Sequence, residues 1–272
     1  MLIGISGKAG SGKDLIARMI QHRCAEYISK DGTLVYDFDP SVTYNHWSSW
    51  KIKKYASKLK QIVSILTGIP IADLEKEEVK NSTLPSEWNT FEWLGDVKYD
   101  TAGNKLMTVR KLLQIIGTEA MRNNVHENVW VNALFSEYIN SSVVNKESGF
   151  VWDFDHKEAI GQGPYTNNCM ECKSLFRGYK RQYLCASCAS IERYPKWIIT
   201  DVRFLNEAKA VLDRGGILLR VNRPGNMNPA GEHPSETSLD DYKLFNHVIE
   251  NEGTIEELYA KVTEFLTKFK FI

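Results

Sequence analysis

The stretch GISGKAGSGKDLIARMI at residues 4–20 constrains the fold of this chain more than any other segment. It overlaps a short apolar run, LIGIS at 2–6, which fits a buried parallel strand. Beyond it Leu15, Ile16, Met19, Ile20, Tyr27 and Ile28 recur near helical spacing. Between strand and helix, Gly7, Gly12 and Lys13 match G-x-x-x-x-G-K, a turn whose backbone N–H groups wrap phosphates. The lysine reaches the outer phosphates, and the helix N-terminus adds its dipole. Lys8, Gly10 and Ser11 complete the expected nucleotide contacts. Asp14 stands where such loops carry Ser or Thr. Its carboxylate is a hard oxygen ligand suited to Mg²⁺, directly or through a water, and it also complements the helix dipole.

The remainder alternates strands and helices around one irregular segment. TLVYDF at 33–38 reads as the next strand, and about 48–67 as a helix with a stripe of Ile52, Tyr55, Ala56, Leu59, Ile62, Val63 and Leu66, closed by Gly68 and Pro70. Residues 80–105 read as a polar excursion. A helix from an N-cap at Thr108 to Gly117 and another from about Asn128 to Ile139 follow. After 140–195 come KWIITDVRF, a strand ending in an acid; EAKAVLDRGG, a helix with a glycine stop; and ILLRVNRP, another strand. A loop at 223–238, a short strand and a helix from about Thr254 to Lys268 complete the chain. This pattern predicts an α/β fold with one parallel sheet and crossover helices. The core is then 1–139 and 196–272, with 140–195 inserted into it.

That insertion holds four of the five cysteines. Cys169, Cys172, Cys185 and Cys188 form C-x₂-C-x₁₂-C-x₂-C, close to the spacing of a structural zinc site, within a ribbon at about 165–192. Four thiolates leave no open coordination position, so the expected Zn²⁺ is structural. Lys173, Arg177, Lys180 and Arg181 alternate there with Phe176, Tyr179 and Tyr183. That composition suits either a solvated ribbon face, the favoured reading, or contact with bases. The whole chain carries 34 basic and 34 acidic residues, so no global field draws it to nucleic acid or membrane. MLIGISGKAG lacks the charged start of a signal peptide, and no run of about 18 apolar residues occurs. A cytoplasmic location is expected.

Four stretches carry a resemblance to a known family: SGKAGSGKD at 6–14, KKYASKLKQI at 53–62, MTVRKLLQIIGTEAMRNNVHENVWV at 107–131 and TDVRFLNEAKAV at 200–211, joined by HPSE at 233–236. Together they resemble the deoxynucleoside monophosphate kinases of tailed bacteriophages. The resemblance implies a P-loop NTPase, nucleoside monophosphate kinase-like three-layer fold, with acceptor-binding helices in about 48–139. It implies transfer of the γ-phosphoryl of ATP to a dNMP, with Mg²⁺ as cofactor, and suggests a homodimer. Lys13, Asp14, Asp201 and Arg203 are then the catalytic set, with Asp14 and Asp201 toward Mg²⁺. Lys60, Arg122, Trp130, Arg203 and Glu207 serve the acceptor, and Arg220 and Arg223 flank a loop closing over ATP. Alternatives stay open for several of these. Asp201 could cap the following helix, with Arg203 and Glu207 paired structurally. Trp130 could be core rather than a stacking platform, and Lys60 one lysine of a solvated face. The cysteine ribbon departs from the family pattern. Two other functions also remain: a zinc-ribbon nucleic-acid-binding ATPase, and a kinase for another acceptor such as phosphomevalonate. HPSE contributes His233 and Glu236 to the resemblance.

Overall fold

The structure is a computed structural model, and it describes residues 1–25, 37–42, 44, 48–88, 98–99, 105–138, 152–153, 158–159, 165–170, 172–178, 185, 194–224 and 237–272. The strands are β1 (Leu2–Ser6), β2 (Trp50–Lys53), β3 (Lys98–Tyr99), β4 (Lys105–Leu106), β5 (Trp152–Asp153), β6 (Glu158–Ala159), β7 (Tyr165–Asn168), β8 (Leu175–Gly178), β9 (Lys196–Ile199), β10 (Ile217–Asn222) and β11 (His247–Glu250). The α-helices are α1 (Lys13–Arg23), α2 (Ala56–Thr67), α3 (Glu77–Asn81), α4 (Val109–Gln114), α5 (Val129–Phe135), α6 (Leu205–Leu212) and α7 (Ile255–Lys268). A π-helical segment, Ile115–Arg122, continues α4.

The chain divides into two compact units, Met1–Glu137 with Trp197–Ile272, and Tyr138–Lys196. The first is built on a sheet of order β11-β10-β1-β9-β2. β1 runs parallel to both β10 and β9, and β10 parallel to β11. All five residues of β1 are buried, as a central strand covered on both faces requires. Strand alternation sorts the two faces. Ile3, Ile5, Leu219 and Val221 join Ile16, Met19 and Ile20 of α1 and Val262, Phe265 and Leu266 of α7 in one core cluster. On the other face, a Cβ at Gly4 would lie 3.1 Å from Val211 of α6. Helices therefore cover both sides of a mostly parallel sheet, a mixed α/β architecture that fits a P-loop kinase-like fold. A second apolar cluster, with Val63, Leu74, Met107, Val109 and Leu112, holds α2 and α4 together beside the sheet.

Several boundaries differ from the sequence expectation. The helix expected from about residue 48 starts at Ala56, and Trp50–Lys53 is the edge strand β2. Trp50 is 1% exposed and meets Phe271 edge-on, while its carbonyl accepts from Gln21 Nε2, so local periodicity yields to tertiary packing. Most of TLVYDF lies outside the described residues, as do Tyr27 and Ile28. Thr108 is an N-cap as expected, its hydroxyl accepting from Lys111 N–H. The helix does not stop at Gly117 but runs on in π form to Arg122; a Cβ at Gly117 would lie 2.8 Å from Leu59, so this glycine serves close packing against α2 rather than a helix stop, and its carbonyl accepts from Trp130 Nε1 at 2.8 Å. α5 ends at Phe135, short of Ile139. α6 begins at Leu205, ahead of Glu207.

In the second unit β7 and β8 form an antiparallel hairpin whose turn carries Cys169 and Cys172. β5 pairs antiparallel with β6. Tyr138 and Tyr194 stack with centroids 5.2 Å apart, bringing the two ends of this unit together. Among the described residues no helix is long and apolar enough to cross a membrane.

Candidate active site

β1 delivers the chain into the glycine loop and α1 carries it away. Gly12 is the N-cap of α1 with φ 99°, a left-handed conformation that favours glycine. Gly7 is required by close approach, since a Cβ there would lie 2.5 Å from the Val221 carbonyl oxygen. Lys13 Nζ donates to the Gly7 and Lys8 carbonyls at 2.8 and 2.6 Å. Neighbouring elements brace the loop. Asn251 Nδ2 donates to the Ser11 carbonyl at 2.8 Å and Arg223 Nη1 to that of Gly10 at 3.3 Å. Asp240 pairs with Lys8 and, at 3.0 Å, with Arg220, whose Nη1 reaches Ser6 Oγ. Partial burial disfavours the Asp240 charge, but those two cations outweigh it and hold the carboxyl below the usual carboxylate range.

A cleft of about 420 Å³ opens beside this loop. One wall is Gly10, Lys13 and Asp14, another is Thr200, Asp201 and Arg203 beyond the end of β9, and a third is Leu59 and Lys60 of α2. The cleft lies beyond the carboxyl end of β9, the place where sheets of this kind bind ligands. Asp201 does not cap the helix that follows it. Its two carboxylate oxygens accept from Tyr55 and Ala56 N–H at 2.8 and 2.9 Å, which fixes the start of α2. Asp14 lies 3.2 Å from Lys54 Nζ, and Lys54 is also 4.0 Å from Glu75. Burial works against the Asp14 charge, yet Lys54, the nearby Thr200 hydroxyl and Lys13 together keep its carboxyl below the usual range. Burial likewise penalises charged Lys54, and Asp14 and Glu75 overcome it, so the ammonium pKa rises. Lys60, 2.5 Å from Glu75, is buried more than its partner can offset, and its pKa falls.

Glu207 lines the same cleft from the first turn of α6. Its Oε2 accepts from Arg203 and Phe204 N–H at 2.8 and 3.1 Å, and its Oε1 from Arg122 Nη2 at 2.6 Å. Burial lifts its pKa to about 7 against the pull of Arg122. Arg122 is held behind it, stacked 3.8 Å over Phe204, and is not among the cleft-lining residues. Trp130 does line the cleft, but it is 5% exposed with its indole N–H on the Gly117 carbonyl. Lys60, Trp130, Asp201, Arg203 and Glu207 are thus brought to one cleft with Lys13, Asp14 and Gly10. Gly7, Lys8, Ser11, Gly12 and Arg223 form or brace the loop behind it. Lys54, Glu75, Lys80 and Arg110 also line the cleft and were not singled out in the sequence. Lys54 and Arg110 lie within the KKYASKLKQI and MTVRKLLQ stretches, the one signal that could have marked them. Arg110 pairs with Glu77 and donates to Asn81 Oδ1 at 3.0 Å. His233 and Glu236 fall outside the described residues.

In the other unit the sulfurs of Cys169, Cys172 and Cys185 lie within 4.8 Å of one another. Cys172 and Cys185 are 3.7 Å apart. The turn that presents the first two is closed by Lys173 N–H on the Cys169 carbonyl and Cys169 N–H on that of Ser174. Cys188 lies outside the described residues.

Against known proteins, no family model matches the chain. A protein of Acanthamoeba polyphaga mimivirus named "Putative deoxynucleotide monophosphate kinase" is 42% identical over 65 residues, 24% of this chain. The similarity spans only 33% of that relative's length.

Proposed function

We propose that the protein is a deoxynucleoside monophosphate kinase, transferring the γ-phosphoryl of ATP to a dNMP to give ADP and dNDP. The observation that carries this reading is one cleft with a phosphate loop on one wall and cations on the facing helix. The partial similarity to a mimivirus protein whose name is that of a nucleotide kinase supports it. Phosphoryl transfer needs little covalent help and much positioning and charge compensation. In this reading Gly7, Lys8, Gly10, Ser11 and Gly12 wrap the ATP phosphates, Lys13 reaches the outer ones and Arg223 steadies the loop. Arg203 and Lys60 meet the acceptor phosphate, and Trp130 offers an edge to the base. Glu207 orients Arg203 through its backbone N–H, with Arg122 holding Glu207 in turn.

Mg²⁺ fits the donor set, because Asp14 and Asp201 present hard carboxylate oxygens to the cleft that Lys13 lines. When bound, Mg²⁺ neutralises charge on the β- and γ-phosphates. Zn²⁺ fits the cysteines: a Zn–S bond of about 2.3 Å in a tetrahedron implies sulfurs about 3.8 Å apart. The 3.7 Å between Cys172 and Cys185 agrees with this. Cys169, Cys172, Cys185 and Cys188 would hold that ion for structure.

The test is coupled ADP release with ATP and Mg²⁺, offering dAMP, dCMP, dGMP and dTMP separately, with phosphomevalonate and single-stranded DNA as comparison additions. ADP and dNDP formed together with at least one dNMP are expected. Silence with every dNMP and stimulation by DNA would overturn the reading.

A further inference from the structure

Lys53 and Lys54 diverge where β2 gives way to α2. Lys53 Nζ sits 4.7 Å from the centre of the Trp197 ring and 2.9 Å from Glu137, whereas Lys54 turns into the cleft. The backbone just after Lys54 is pinned, because Tyr55 and Ala56 N–H both donate to Asp201. Its ammonium is flanked by Asp14 at 3.2 Å, next in sequence to Lys13, and by Glu75 at 4.0 Å. It therefore stands at the seam between the phosphate loop and the helical wall. The other lysines on the cleft are placed differently: Lys13 lies on the loop carbonyls, Lys60 further along α2 on Glu75, and Lys80 on α3 beside Glu77 at 3.5 Å.

Transfer to a nucleotide brings two polyanions together. An oxygen of the acceptor phosphate forms a bond to the γ-phosphorus as the bond to the β–γ bridging oxygen breaks, and that oxygen leaves on ADP with the electron pair. No net proton moves, so the obstacle is repulsion between the two phosphates, and a cation at the seam opposes it. We propose that Lys54 is a catalytic residue whose ammonium contacts the γ-phosphoryl group from the acceptor side, and that Asp14 and Glu75 hold it at that seam between turnovers. The proposal rests on the kinase reading above for its acceptor, but the contact to the γ-phosphoryl can be tested without one.

Lys54→Met, Lys54→Arg and the control Lys58→Met are compared with wild type. Lys58 pairs with Glu137 at 2.7 Å and does not line the cleft, so its loss leaves turnover unchanged. Two readouts are taken: kcat with the accepted dNMP, and calorimetric affinities for Mg·ADP and for the Mg complex of β,γ-imido-ATP. Lys54→Met lowers kcat about 100-fold or more and weakens imido-ATP binding while leaving ADP binding intact. Lys54→Arg regains part of both. Wild-type kcat together with wild-type affinity for both nucleotides in Lys54→Met overturns the assignment. So does an equal loss for ADP and imido-ATP, which would mean a distorted loop. If wild type turns over no dNMP but Lys54→Met still loses affinity selectively for imido-ATP, the acceptor reading fails and the Lys54 assignment stands. If that selective loss is absent as well, both fail.

Discussion

The Arg122–Glu207 pair gives a test in which pH separates electrostatics from packing. Its side chains are 10% and 3% exposed and its atoms 2.6 Å apart. An ordinary glutamate titrates near 4.5; burial lifts folded Glu207 to about 7, with Arg122 opposing the lift and Asp201 adding to it. A raised folded-state pKa means that stability from this group is fully present below 4.5 and is lost as pH rises to about 7. Arg122 sets where that loss stops. In Arg122→Met the folded pKa climbs further, so the variant keeps losing stability above pH 7, by about 1.4 kcal/mol per pH unit. Between about pH 6 and pH 8.5 the variant should therefore fall behind wild type by an extra ~2 kcal/mol. The total cost at high pH approaches the ~3–5 kcal/mol of leaving a buried charge without its partner. Urea unfolding at the two pH values measures this, and Arg122→Met/Glu207→Gln, with nothing left to ionise at 207, should lose the pH-dependent part. Equal destabilisation of Arg122→Met at both pH values would refute the reasoning and leave packing over Phe204 as the whole effect.

Other outcomes follow from the same geometry. Lys13→Ala should abolish phosphoryl transfer while shifting Tm by no more than a few degrees, because water can replace the ammonium on the Gly7 and Lys8 carbonyls; wild-type turnover in the folded variant would remove the loop from the mechanism. Gly7→Ala should lose ATP binding by calorimetry, since its Cβ would press on the Val221 carbonyl at 2.5 Å and push the loop off β10. Cys172→Ser should reduce bound zinc from about one ion per chain by metal analysis; an undiminished zinc content would take Cys172 out of the ligand set.

The strand, glycine loop and helix at the N-terminus were legible because their determinants are local: an apolar run, glycines at fixed offsets, and a lysine opening a periodic stretch. The same holds for the Thr108 N-cap and for α7 after its Thr254 N-cap, whose hydroxyl accepts from Glu257 N–H. The sequence of Trp50–Lys53 reads as helix because its apolar spacing suits either state, and only burial against Phe271 and pairing at the sheet edge decide for a strand. Lys13, Asp14, Lys60, Asp201, Arg203 and Glu207 could be named singly from the sequence, but not their partners, and Lys54, Glu75, Lys80 and Arg110 joined them only through the fold. Nothing in TDVRF says that Asp201 reaches back to the N–H groups of Tyr55 and Ala56, about 145 residues away. Nor does it say that Glu207 holds Arg122, or that Lys54 rather than Lys53 faces Asp14. Sequence by itself therefore determined the glycine loop with its flanking strand and helix, and the side chains available to the cleft, because glycine conformation and side-chain type are local properties. Tertiary structure alone decided which charges meet, because desolvation and Coulomb energy depend on distances that only packing sets.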